Sequence, residues 1–453
     1  MSLNKIPITI TFIASLCSII GALFNIWTFN IPALLVSFAF LFGFAIIKYR
    51  LYYFNRYFIP AFFVIFVLHI IRGNGFAILS NGGYVLLFTT VFAACFETHG
   101  GIDIVDILRG ITYLYKFYMV SLFAEFILVL LGFQSNLISL FNSTAMPGYK
   151  GYNGADFLHL LGFADLGGLN SILLGSQIAG MLSLFSVIWF TMLVRGLPNY
   201  TISRYGSVWI YISAFLYLIT ANLTGAILAV LAYLIYTVSR QKKVNLFKFI
   251  IPLIIVIGLA FLIDYSGVFH RIFNDNLVIN HMGKIEDVEA SGIDIKAISG
   301  MSTTEYYFYI HALPINNWLN LELINKLFGV SKESILSETV YRTGDFALAE
   351  ILYTSGFIWL MVFLFAVFYT CLPALKFYKI ACDTDEAMQQ WPVLCASNAL
   401  ISVLFLVSLI HYSPATANEG ALTLFSLHLA VTIYSRYRCG DSVSAFDKPI
   451  LVN

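Results

Sequence analysis

Apolar runs of roughly 18 to 25 residues, each long enough as a helix to cross a hydrocarbon core of about 30 Å, recur along the whole chain. No other feature limits the fold so strongly. In a dry core every backbone amide must be paired within its own segment, so run length dictates helix. The runs fall at 8–25, 28–47, 57–72, 77–96, 110–133, 171–194, 206–222, 223–239, 246–265, 347–371, 393–411 and 418–436. About twelve spans of this length predict an all-α, polytopic integral membrane protein. Ten-residue alternating segments, the mark of an outer-membrane barrel, are absent. Composition agrees: 60% of residues are hydrophobic and 11% charged, against roughly 45–50% and 25% in soluble domains. Lys plus Arg (25) and Asp plus Glu (24) nearly cancel, so no global field recruits nucleic acid.

Orientation follows from Lys and Arg in short connections. With the N-terminus inside, the cytoplasmic segments hold Lys48, Arg50, Arg56, Arg109, Arg195, Arg204, Arg240, Lys242, Lys243, Lys376, Lys379, Arg436 and Arg438. The short outer connections hold almost none, Arg72 and Lys150 being the exceptions. An even number of spans then places both termini in the cytoplasm. The first run lacks a convincing small-x-small cleavage site and reads as a retained helix. Of the six cysteines, Cys17 and Cys395 fall within spans, Cys95 and Cys371 near cytoplasmic ends, and Cys382 and Cys439 in cytoplasmic segments. None lies outside, which predicts small apolar fillers rather than disulfides or a CxxC site.

The layout divides into helices 1–5 (1–133), a first outer loop (134–170), helices 6–9 (171–265), a large outer loop (266–346), helices 10–12 (347–436) and a cytoplasmic tail (437–453). Loops this long usually bind or catalyse. The large one carries Arg271, Arg342, His270, His281, His311 and the aromatic run Tyr306, Tyr307, Phe308 and Tyr309. Its stretch 317–329 is apolar at helical spacing and ends in Gly329, which predicts a short helix on the membrane surface. The first loop has glycines at 148, 151 and 154, Tyr149 and Tyr152 as flat faces for a sugar, and Lys150 as its cation. No Walker loop, GxGxxG, HExxH or GxSxG occurs, and no Cys or His cluster has metal spacing. No metal or cofactor is expected.

Lys116 and Glu125 lie inside the fifth run, where a charge near midplane costs about 2.5–3.5 kcal/mol on insertion scales. Nine residues are two and a half helical turns, so the two point to opposite faces. Lys116 is placed to snorkel toward the cytoplasm, and Glu125 to face a cavity or cationic partner. Gln177, Asn222 and Thr224 read as helix-packing glue, and His69, His411 and His428 as satisfied bundle residues. Arg342 and Asp345 stand just before the tenth run, at the level of lipid headgroups, where Asp345 also suits an ordinary N-cap. If the large loop folds back on itself, Arg271 and Arg342 converge into a clamp for phosphate or pyrophosphate, because each planar fork donates in pairs.

The segment Asp345 to Gly356, with Leu348, Ile351 and Leu352 between, is similar to the DxxYLxxLxxxG pattern of the O-antigen polymerase and ligase superfamily of bacterial envelopes. The number of spans and the two long outer loops also resemble those Wzy-like and WaaL-like proteins. Polymerases tend to Asp at the first position and ligases to His, so the resemblance favours a polymerase. The stretch 221–226 lacks an Arg that many relatives carry, and the first loop offers Lys150 where they often place Arg.

The resemblance implies periplasmic glycosyl transfer in the bacterial inner membrane, polymerising glycan repeats on undecaprenyl pyrophosphate, without metal or nucleotide. It implies, as partners, that lipid-linked glycan, a chain-length regulator and a flippase. The expected roles are Arg271 and Arg342 on the pyrophosphate with Lys150 as a third cation. Asp345 serves as base or hydroxyl orienter, His270 and His311 are in reserve, and Tyr306, Tyr307 and Trp318 line the sugar path. Alternatives are an O-antigen ligase with the same donor and, in another class, a lipid-linked oligosaccharide flippase. Against the flippase stand the absence of matching halves and the outer loop of about 80 residues. A membrane O-acyltransferase would show a His and basic motif facing the cytoplasm, which is missing.

Overall fold

The computed structural model describes residues 5–24, 53–73, 78–97, 102–131, 176–197, 205–220, 228–235, 312, 315–330, 347–375, 377, 390–409 and 419–446. Among them all regular structure is helical. The elements are α1 (Ile6–Phe24), α2 (Tyr53–Ile71), α3 (Tyr84–Glu97), α4 (Ile104–Leu130), α5 (Ser176–Gly196), α6 (Gly206–Thr220), α7 (228–235), α8 (Leu323–Phe328), α9 (Ala347–Leu375), α10 (Gln390–Ser408) and α11 (Glu419–Phe446). A π-helical turn, Leu79–Gly83, opens α3.

Among the described residues four stretches are long and apolar enough to cross a membrane: Ile104–Leu128, Ile178–Gly196, Ile351–Leu375 and Trp391–Ser408. Shorter apolar stretches occupy α1, α2, α3 and α6. These helices coincide with runs expected from the sequence, with shifted ends. The helix expected from 110 starts at Ile104, taking Asp106 and Arg109 out of the presumed connection. The last helix runs on to Phe446, into the stretch read as a tail. The expected spans 28–47 and 246–265 lie outside the described residues.

Burial sorts the helices into inner and outer. A helix apolar on all sides must be covered on all sides. In α3 every residue from Val85 to Phe96 is buried, and α10 and the first half of α11 are buried almost throughout. By contrast α2 shows Val64, Val67, Ile70 and Ile71 on its surface, and α4 shows Tyr113, Val120 and Phe123. Such exposed apolar faces suit hydrocarbon rather than water. The central helix is α11, which packs on α10, α3 and α1, while α5 pairs with α6 and α9 with α10.

Several buried hydroxyls within these helices are satisfied locally. Thr11 donates to Pro7 O at 2.8 Å, Ser15 to Thr11 O at 2.7 Å, and Thr370 to Ala366 O at 2.7 Å. Bonding back four residues lets Ser and Thr sit in an apolar bundle without an interhelical partner. Close approach is aided by glycine. A Cβ on Gly110 would stand 2.5 Å from Ile8, and one on Gly196 2.7 Å from Val393, so α1 meets α4, and α5 meets α10, across these positions.

Candidate functional site

Among the described residues, two extended polar clusters interrupt the apolar packing. The first lies in the bundle centre, where α4, α5, α10 and α11 meet. Asn398 Nδ2 donates to Leu394 O at 2.7 Å, which leaves Oδ1 as the acceptor facing His428 Nδ1 at 2.6 Å. The proton of a neutral imidazole then resides on Nδ1, and Nε2 carries a lone pair. Tyr115 Oη donates to that nitrogen at 2.8 Å. Trp189 stands beside both rings and donates to Thr112 Oγ1 at 3.1 Å. Tyr115, Asn398, His428 and Trp189 are all 0% exposed. Each bond therefore fixes the direction of the next, and the chain ties three helices in one register. A further bond, Tyr118 Oη to Ser15 Oγ at 2.6 Å, joins α4 to α1.

The second cluster surrounds the break in α9. Gly356 has φ 82° and ψ 166°, outside helical conformation, so α9 is two helices meeting at a kink. Gly329, which ends α8, has φ 75° and ψ 170°. The two glycines interlock. A Cβ on Gly329 would overlap the Thr354 carbonyl, and one on Gly356 would overlap Gly329 N and Leu327 O. A kink in a membrane helix is tolerated when protein groups take up the disturbed backbone positions. Val330 N–H donates to Tyr353 O at 3.0 Å. His69 Nε2 faces Ser355 O at 3.1 Å, and its Nδ1 faces Ile65 O at 2.9 Å. Arg72, three residues further on and just past the end of α2, donates through Nη2 to Asn325 Oδ1 at 2.6 Å and to Gly329 O at 2.8 Å. Its Nη1 reaches Ile324 O at 3.4 Å. A guanidinium beside the last carbonyls of α8 also complements the negative end of that helix.

Of the stretch 317–329 expected as one short helix, only 323–328 forms α8, which ends where the sequence placed its stop, at Gly329; residues 320–322 are not helical and separate it from a helical turn at 315–319. Trp318 is described: its Nε1 donates to Lys326 O at 3.1 Å and its ring lies 6.3 Å from that of Phe357. Lys116 is half-buried, with Nζ 5.3 Å from the Trp209 ring centroid and 5.9 Å from that of Tyr113. The ammonium thus lies against two aromatic faces. Glu125 is 4% exposed and extends the buried stripe Ile111, Tyr115, Tyr118 and Leu122 of α4, so its carboxylate is turned toward the bundle interior. His69 and His428 are hydrogen-bonded bundle residues, as expected. Asp345, His270, His311, Arg271, Arg342, Lys150, Tyr306, Tyr307 and His411 lie outside the described residues.

Sequence reasoning passed over Tyr115, Asn398 and the partner network of His428. An Asn in the run 393–411 and a His in the run 418–436 were visible signals, but pairing them needs the helix packing. In the sequence Arg72 stands out only as an exception to the charge bias.

Helices of this length, apolarity and mutual packing define a helical, membrane-embedded protein. Comparison with protein-family models, with curated proteins and with solved structures gives no match.

Proposed function

We propose that this protein is a polysaccharide polymerase of the bacterial inner membrane. In this reading about twelve spans with both termini inside place the 134–170 and 266–346 loops in the periplasm. The observation that carries it is the segment from Asp345 to Gly356, which leads from the larger loop into a membrane helix and resembles the polymerase pattern. The interlocked glycines at 329 and 356 give that pattern's terminal glycine a physical task, since a side chain there would overlap backbone.

The chemistry needs no nucleotide in principle, because a lipid pyrophosphate is already a good leaving group. An acceptor sugar hydroxyl attacks the anomeric carbon, the bond from that carbon to the pyrophosphate oxygen breaks, and the hydroxyl proton passes to Asp345. Arg271 and Arg342, with Lys150, neutralise the departing pyrophosphate. Tyr306, Tyr307 and Trp318 line the sugar path, and His270 and His311 are alternative bases. Binding and orientation supply most of the remaining acceleration.

A deletion strain tests this through the length ladder of its surface polysaccharide. Loss of long chains with a single repeat still attached supports the polymerase. Loss of all attachment indicates the ligase, and accumulation of lipid-linked repeats on the cytoplasmic side indicates the flippase. Arg342→Ala and Arg271→Ala should each abolish long chains while the protein still reaches the membrane. Normal ladders in both variants refute the clamp.

A further inference from the structure

The cluster around the α9 kink holds more machinery than a turn requires. Four carbonyls (Ile324, Gly329, Tyr353 and Ser355) and one side-chain amide (Asn325) are bonded across three separate elements. Two of the bonding groups, His69 in the last turn of α2 and Arg72 in the turn just after it, are more than 250 residues away in sequence from these partners. Arg72 alone makes three of the contacts, and no carboxylate takes part in them. A guanidinium so placed holds backbone in position.

The half of α9 before the kink, from Ala347 to Ser355, is tied at both ends. Its first turn is bonded through Leu348 N–H to Leu409 O, at the end of α10, at 3.2 Å. Its last turn is held by Val330 and His69. With α8 pinned to the same place by Arg72, α8 and this half-helix share one anchor on α2. The half-helix is only about 13 Å long at 1.5 Å per residue, so an error in its tilt at the kink moves its start by several ångström.

We propose that Arg72 and His69 are positioning residues that clamp α8 and the first half of α9 onto α2. The inference rests on the polymerase reading in one respect: the clamped half-helix is the one that Arg342 and Asp345 precede in sequence, so the clamp sets where the outer reaction takes place. A displacement of about 1 Å at reacting groups can cost on the order of a hundredfold in rate.

The test uses the full-length protein in nanodiscs, with hydrogen exchange read peptide by peptide, alongside the polysaccharide ladder of the same variants in cells. In Arg72→Gln, amides in 324–330 and 350–356 should exchange at least tenfold faster while α10 and α11 keep wild-type protection. The glycan ladder should shorten at normal protein level. Asn325→Asp keeps an acceptor for the guanidinium and should retain both protection and ladder, whereas Asn325→Leu should lose part of each. Unchanged exchange at 324–330 and 350–356 in Arg72→Gln overturns the clamp. So does faster exchange spread equally over all helices, which would mean general destabilisation. Local loosening with a full-length ladder overturns its role in positioning. If the deletion strain keeps its long chains, the polymerase reading fails separately, and the exchange data alone decide whether Arg72 and His69 hold α8 and the half-helix in place.

Discussion

Truncating His428 to Ala should destabilise the bundle by more than removing either of its neighbours' polar atoms. Two hydrogen bonds are lost, to Tyr115 Oη and Asn398 Oδ1. Interhelical bonds in membranes average about 0.6 kcal/mol and reach about 1.7, so bonding alone is worth roughly 1–3 kcal/mol. The larger cost is what remains: a Tyr hydroxyl and an Asn carbonyl, both fully buried, stranded at about 1–3 kcal/mol each. An imidazole-sized void beside Trp189 adds to this. These contributions overlap, and a total of about 3–6 kcal/mol follows. Tyr115→Phe keeps the ring against Trp189 but loses one bond and leaves His428 Nε2 unpaired, for about 1–3 kcal/mol in all. The diagnostic variant is Tyr115→Phe, Asn398→Leu and His428→Leu combined. It strands no buried donor or acceptor of the chain and should be more stable than His428→Ala, despite three changes instead of one. Reversible unfolding in bicelles, followed by steric trapping, measures all three. If His428→Ala lies within about 1 kcal/mol of wild type, or the triple variant costs the sum of its parts, the directional chain through Asn398, His428 and Tyr115 is not what holds these helices.

Three other expectations can be checked with less effort. Gly356→Ala forces a side chain onto φ 82° against the Leu327 backbone; about 1–3 kcal/mol of strain plus the overlap should lower the melting temperature and expose the 324–330 amides to exchange. Lys116→Met removes a charge from the span yet keeps a long stem on Trp209. Its desolvation cost of about 2.5–3.5 kcal/mol exceeds a cation–π gain of about 0.5–2, so melting in detergent should occur at a higher temperature, and a lower one would show the ammonium to be engaged in function or packing. Cys95, Cys371, Cys395 and Cys439 are buried, so a membrane-impermeant maleimide applied to intact cells should label none of them until the protein is denatured; labelling of Cys439 from outside would reverse the proposed orientation.

Some of this was legible because one-dimensional pattern is enough for it. Hydrocarbon leaves helix as the local solution for a long apolar run, so α4, α5, α9 and α10 were readable from length and composition. Gly329 was readable as a helix stop because only glycine enters a positive-φ exit without strain. The apolar pattern could not tell which helices are central, since a lipid-facing Leu and a buried Leu look alike in sequence. Position 356 looked like a motif glycine, and its contact with Gly329 could not be seen from the order of residues. Arg72 looked like a stray outer cation because its three acceptors lie some 250 residues away.

Residue order chooses the solvent: repeated apolar runs commit the chain to a bilayer, and the bilayer commits those runs to helices. Tertiary structure alone decided which polar atoms meet. A lone His or Asn in a span is a cost until a partner arrives from another helix, and that arrival depends on rotation and depth, which are set by packing. In this fold packing brings Tyr115, His428 and Asn398 into one directed chain and lays Arg72 across the joint between α8 and α9.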